Sequence, residues 1–133
     1  RALEKHGFRV REEWIVDCQF DQSTAMQKAM ELKHRYPGID AFFCASDGIA
    51  IGAIDGMMQL GMQVPQDVAV AGFDDFTVSK YIHGGITSVK QYPYEMGVAC
   101  ANTVVSMIDG NRVPDWIPME YKLMKRTSTK AKL

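Results

Sequence analysis

The sequence has almost no charge imbalance, few cysteines and no long apolar run. Its 133 residues carry 15 basic and 16 acidic side chains, so nothing draws this segment electrostatically to DNA, RNA or an anionic membrane. If the intact protein binds DNA, another segment does it. Cys18, Cys44 and Cys100 form an odd set outside any C-x-x-C pattern, which suits reduced thiols in a cytoplasmic core better than a disulfide frame. Neither a signal-peptide pattern nor an apolar run of about 18 residues is present, and no membrane partner is expected. His6, His34 and His83 lie on different segments without the spacing that puts two ligands on one helical face. They read as surface histidines, and no metal site is expected. Without a G-x-S-x-G elbow, a G-x-x-x-x-G-K-[ST] loop or a G-x-G-x-x-G turn, nucleophilic and nucleotide chemistry lack a warrant, and no cofactor is expected. Repeats, low-complexity tracts and long linkers are also missing.

What is there alternates between strand and helix. Arg1-Ala2-Leu3-Glu4-Lys5-His6-Gly7 reads as the end of a helix already under way, with Gly7 as its stop, which implies residues upstream. Trp14-Ile15-Val16 is a short β-prone run, and a helical pattern over 23–36 ends at Pro37-Gly38. Ala41-Phe42-Phe43-Cys44-Ala45 has the unbroken apolar character of a strand covered on both faces, followed by a helix over 47–60 that Gly61 stops. Val68-Ala69-Val70-Ala71-Gly72 predicts a third strand, while 77–82 is ambiguous. Residues 86–90 can form a strand, Pro93 opens a helix to residue 108 with Gly110 beyond it, and 119–125 alternates like a strand. This order predicts an α/β fold with a doubly wound, mainly parallel sheet and ligands outside the carboxyl ends of its strands.

Three loops meet at that edge, around Phe20, at Ser46-Asp47 and at Phe73-Asp74-Asp75. An aspartate there can accept hydroxyl protons from a neighbouring diol, and a Phe ring can cover the C–H face of a sugar or the flat face of a base. Such a rim suits a small polyhydroxylated or heterocyclic ligand. Ser46 either caps the following helix or touches ligand; for Asp47, complementing the helix dipole is the favoured reading. Asp74 follows a buried strand with no amphipathic helix to start, so a ligand contact is expected of it. Asp75 is either a solvated turn residue or a partner of nearby backbone amides. An acidic pair could also suggest a phosphoacceptor or metal site, which is a weak signal. Ile49, Ala50, Ile51, Ala53, Ile54, Met57, Met58 and Leu60 spread apolar surface over more than one stripe of their helix. The surplus serves either a subunit interface or burial beneath another part of the chain.

Phe42-Phe43-Cys44-Ala45-Ser46-Asp47-Gly48-Ile49-Ala50-Ile51-Gly52 resembles the pattern apolar strand, Asn-Asp, x-x-Ala-x-Gly of lac-, purine- and galactose-repressor-type regulators. The run from Leu60 through Val64-Pro65-Gln66-Asp67-Val68 to Gly72-Phe73-Asp74-Asp75 resembles their G-x-x-V-P-x-D-(I/V)-(S/A)-V-x-G-(F/Y)-D-(D/N). Thr87-Ser88-Val89-Lys90-Gln91, the helix around Gly97, and Leu123-Met124-Lys125-Arg126-Thr127-Ser128 continue the series. Ser46 stands where Asn is usual, and His83-Gly84-Gly85 replaces a Pro-containing segment. The resemblance implies the carboxyl-terminal part of a two-lobe, periplasmic-binding-protein-like (type I) effector core. Residues 1–91 and about 117–128 would form one lobe, and about 92–116 a crossover segment of the other. An amino-terminal helix-turn-helix and most of the second lobe would lie outside the chain.

By position the resemblance makes Phe20, Ser46 and Asp74 effector contacts, with Gln91 where the chain crosses between lobes; Phe73 and Asp47, in the same loops, are counted with them as candidate contacts. Ile51 and Tyr81 would fall where relatives form dimer contacts, and Met58 is counted with them as a candidate for a homodimer interface, with a tetramer as the larger alternative. The family's effector-binding Arg lies upstream, and that role is not placed on Arg1. The stripe Met96, Cys100, Val104, Met107 and Ile108 would need cover from the missing lobe or from a second copy. The expected function is sensing of a sugar, nucleoside or purine by a cytoplasmic, non-enzymatic regulator, with effector altering dimer geometry and operator affinity. The alternatives are a periplasmic sugar-binding protein for transport or chemotaxis and, more remotely, an enzyme of flavodoxin-like architecture.

Overall fold

The computed structural model describes residues 2–129; Arg1 and residues 130–133 lie outside the described part, and with Arg1 the first residue of the expected opening helix. A short helix, α1 (Ala2–Lys5), ends at Gly7 with φ +81°, the left-handed stop that the sequence predicts. Helix α2 (Gln22–Arg35) starts at Asp21, whose carboxylate accepts the Thr24 amide at 2.6 Å. It ends where Lys33 Nζ donates to the carbonyls of Pro37 and Ile39 at 2.7 and 2.6 Å, using a cation to satisfy acceptors beyond the last turn. Helix α3 (Asp47–Gln59) begins at Ser46, whose Oγ accepts the Ile49 amide at 3.2 Å, and stops at Gly61 with φ +74°.

The sheet has four strands in the order β1 (Ala41–Phe43), β2 (Ala69–Asp74), β3 (Thr87–Lys90), β4 (Lys122–Met124). The first three run parallel, and β4 returns antiparallel to β3 with Ser88 opposite Met124. The fold is therefore mixed α/β with a mainly parallel sheet. Along β2, Val70 and Gly72 are buried while Ala69, Ala71 and Phe73 are half-buried, the alternation that puts every second residue on one face. Ala50, Ile54 and Met57 of α3 join Val68, Val70 and Ile86 in the core, each essentially inaccessible. Burying each larger aliphatic side chain there contributes roughly 1.5–3 kcal/mol.

Two expectations are corrected. Trp14-Ile15-Val16 is not a strand: Glu12–Trp14 forms a 3-10 turn and Ile15 is 71% exposed. Trp14 instead packs edge-on against Tyr36, with centroids 6.4 Å apart, under the Arg11 guanidinium. Side-chain packing at the end of α2 thus holds this segment, and no ladder to β1 forms. Much of the surplus apolar face of α3 is also covered within the chain, because α2 lies against it, while Met58 stays exposed. Gly52 and Gly56 permit that approach; a Cβ at Gly52 would sit 2.2 Å from the Gln22 carbonyl oxygen, and one at Gly56 2.7 Å from that of Met26. Ile51, expected at a dimer interface, is 6% exposed and belongs to the core.

The ambiguous stretch after β2 resolves into two 3-10 turns, Thr77–Lys80 and Ile82–Gly84. Pro93 opens α4 (Pro93–Ile108), which Gly110 follows with φ +76°, yet no residue of this helix is buried. No helix among the described residues is long and apolar enough to cross a membrane.

Candidate functional site

The carboxyl ends of β2 and β3 lie side by side, with Asp74 paired to Lys90 in the parallel register. Just beyond the ladder, Gln91 Nε2 donates to Asp74 Oδ1 at 2.6 Å. Both side chains line an open cavity of about 460 Å³, together with Lys90, Phe76, Thr77, Pro93 and Met96. One Asp74 oxygen is held by the amide, which orients the carboxylate and leaves its other lone pairs for hydroxyl or N–H donors. Phe76 and Met96 supply apolar surface beside that acceptor. A carboxylate, an amide and an ammonium around a partly apolar cavity can bind a neutral molecule rich in donors.

The other expected contacts are distributed differently. Phe20 is 76% exposed on a left-handed turn, with φ +51° at Gln19 and +53° at Phe20, so its ring is presented to solvent. Phe73 is half-buried beside Val89 on β3. Ser46 is buried and its hydroxyl oxygen caps α3, in keeping with the capping reading. The placement of Asp47 among the effector contacts is corrected. Its side chain is inaccessible, and its carboxylate accepts the Phe76 amide at 2.7 Å, the Ser79 hydroxyl at 2.5 Å and the Ser88 hydroxyl at 2.6 Å. These bonds tie the start of α3 to the turn after β2 and to β3, so Asp47 shapes the rim from within. Of the expected interface residues, Met58 and Tyr81 are exposed, at 55% and 78%.

Asp75 follows neither expectation in full. Its amide does find a nearby oxygen, Ser88 Oγ at 3.0 Å, but its carboxylate pairs with Arg126, and its side chain is 2% exposed. Sequence reasoning missed this pairing because the two residues are far apart along the chain, although Arg126 lies in one of the runs that carried the family resemblance. Lys90, Thr77 and Met96 were also missed; each flanks a recognised strand end or helix start, and only the fold brings them to one cavity. His83 Nε2 lies 3.0 Å from Asp55 Oδ1, and among the described residues no group of three metal-ligating side chains gathers.

The thiols divide sharply. Burial, with the nearby Cys18 and Asp47 adding to it, pushes the Cys44 thiol up to about 12, and burial raises Cys18 as well. Cys100 is exposed on α4. The Thr24 hydrogen bonds hold Asp21, the cap of α2, below the usual carboxylate range.

The periplasmic binding protein-like domain family matches residues 1–129. The HTH-type transcriptional repressor PurR of Yersinia pestis (strain Pestoides F) is 33% identical over 132 residues, covering 96% of this chain and 38% of that protein. Among solved structures, a complex of the transcriptional regulator CelR with cellobiose superposes with a TM-score of 0.85 at 34% identity, covering 96% of this chain and 39% of the other. A sugar-binding LacI-family regulator from Escherichia coli, complexed with phosphate, gives 0.80 at 28% identity, covering 96% and 46%. The chain spans less than half the length of these relatives.

Proposed function

Since the chain belongs to the periplasmic binding protein-like domain family, in the form found in lac-repressor-type regulators, we propose that it senses a small molecule for a transcription regulator. The observation that carries this reading is the Asp74–Gln91 pair facing an open cavity at the carboxyl edge of a parallel sheet. Asp74 accepts hydrogen bonds from the effector, Gln91 orients it, and Phe20 and Phe73 supply aromatic cover from the same edge. Ser46 contributes through the end of β1 rather than by reach, since its hydroxyl caps α3.

The effector is a sugar, nucleoside or purine, and the site is one of binding rather than catalysis. Residues 92–116 belong to a second lobe, and closure of the two lobes on the effector changes the geometry of a homodimer in which Met58 and Tyr81 take part. Operator DNA is read by an amino-terminal segment outside this chain. Three free cysteines, two of them buried, support a cytoplasmic setting. The regulator relatives favour this reading over transport of a periplasmic sugar.

The test is a thermal-shift panel on the full-length protein with cellobiose, adenosine and hypoxanthine, repeated with Asp74→Ala. A stabilising compound whose effect weakens in the variant by about 1.5–3 kcal/mol is expected, the range for hydrogen bonds to a charged group. Equal binding by Asp74→Ala defeats the assignment of that carboxylate, and a panel without any shift defeats the sensing of these classes.

A further inference from the structure

Strand β2 ends in two consecutive residues with positive φ, Asp74 at +102° and Asp75 at +56°. Neither is glycine, and left-handed backbone at successive L-residues persists only where surrounding contacts over-determine it. Those contacts converge on the second residue and its neighbour. The Asp75 amide donates to Ser88 Oγ, the Phe76 amide donates to buried Asp47, and the Asp75 carboxylate receives Nη2 of Arg126. Arg126 is itself held from two sides. Its Nη1 donates to the Ile86 carbonyl at 2.7 Å, and its backbone amide donates to the Thr87 hydroxyl oxygen at 2.8 Å while that hydroxyl donates to its carbonyl at 3.1 Å. The guanidinium is thus aimed at Asp75 by β3, and both members of the ion pair are largely shielded, at 14% and 2% exposure. The turn sends the Asp75 side chain inward to Arg126 and leaves Asp74 on the cavity beside Gln91.

We propose that Arg126 is a positioning residue for the effector site: by holding Asp75 it fixes the left-handed turn that presents the Asp74 carboxylate. The proposal rests on the reading of Asp74 as an effector contact. Arg126 stands just after β4, the antiparallel strand that returns to the sheet after α4. The site is therefore complete only when that returning segment has docked, which ties effector affinity to the seating of a strand distant in sequence. Lysine cannot stand in, because a single ammonium lacks the planar fork that reaches a carbonyl and a carboxylate at once.

The experiment compares wild type, Arg126→Lys, Asp75→Asn and the double variant of the full-length protein. Asparagine tolerates left-handed backbone, so Asp75→Asn removes the charge and little else. Two readouts are taken, calorimetric titration with cellobiose, adenosine and hypoxanthine, and hydrogen exchange at the Asp75 and Phe76 amides. Gly52→Ala, which disturbs the distant α2–α3 contact, controls for general destabilisation. Each single variant is expected to raise Kd about tenfold, with the double variant no weaker than either, as residues acting through one contact require. The two amides should exchange about tenfold faster in both single variants, and the control should leave Kd unchanged. Normal wild-type binding with Kd in Arg126→Lys within about twofold overturns the positioning role alone. Unchanged amide exchange overturns the hold of Arg126 on the turn whatever the ligand. A wild-type protein that binds none of the three probes brings down the sensing reading and, with it, this proposal.

Discussion

The Asp47 carboxylate receives an amide and two hydroxyls while none of its surface reaches solvent. A buried anion of this kind is tolerable because every donor around it is used, and removing it strands those donors. Asp47→Ala is expected to lower unfolding free energy by roughly 3–5 kcal/mol in urea denaturation, a large share of what a small domain has. A loss below about 1 kcal/mol would show that the donors find water instead. Cys44 gives a pH-dependent prediction. Its thiol titrates near 9.0 when unfolded and about 12 when folded, so the neutral form is favoured by the native state. That contribution is fully present below pH 9 and fades as pH rises toward 12. Stability of wild type should fall more steeply than that of Cys44→Ala over this window, by about 1.4 kcal/mol per pH unit, and parallel curves would defeat the assignment.

At the scale of elements, most helices and strands were legible because their ends carry local signals. Asp21, Ser46, Pro93, Gly61 and Gly110 act through their own backbone neighbourhoods, which sequence reports directly. The segment at Trp14 was not legible, since strand propensity is realised only when a partner edge takes the hydrogen bonds. The role of Ile51 was misread for a related reason: apolar surface on two sides of α3 does not say which neighbour covers it. The spacing of Gly48, Gly52 and Gly56 was the available clue, because glycines four apart share one face of a helix and leave a shallow groove that admits another helix. Gly52→Ala gains about 1 kcal/mol of helix propensity but meets the Gln22 carbonyl at 2.2 Å. Overpacking against backbone should win, for a net loss of about 2 kcal/mol in thermal unfolding. Gly48→Ala, whose Cβ would meet only Ser46 Oγ at 3.7 Å, should stabilise by about 0.5 kcal/mol; a matching loss at both sites would refute the close approach.

Across the whole molecule, α4 is set apart from the core, with Val98, Val104, Val105, Met107 and Ile108 exposed along it. The stripe of Met96, Cys100, Val104, Met107 and Ile108 noted in the sequence lies on this helix, none of whose residues is buried. In residues 1–133 alone, N-ethylmaleimide should modify Cys100 at least about a hundredfold faster than Cys18 or Cys44, as mass spectrometry of timed digests would show. In the full-length protein a second lobe over α4 should slow Cys100 by about tenfold or more, and equal rates in the two would argue against that cover.

By itself the sequence determined the alternation of elements and marked the carboxyl edge and Asp74 as candidates for a site, while Gln91 entered only through the family resemblance. The alternation and the choice of Asp74 follow from short-range physics: periodicity, capping and the abrupt end of an apolar strand in acids. Only the tertiary structure decided that Asp47 turns inward to Ser79 and Ser88, that α2 covers Ile51's helix, and that Arg126 grips Asp75. The reason is that each depends on groups brought together by packing, and neither a carboxylate nor an apolar face carries in its own neighbourhood any record of what will satisfy it.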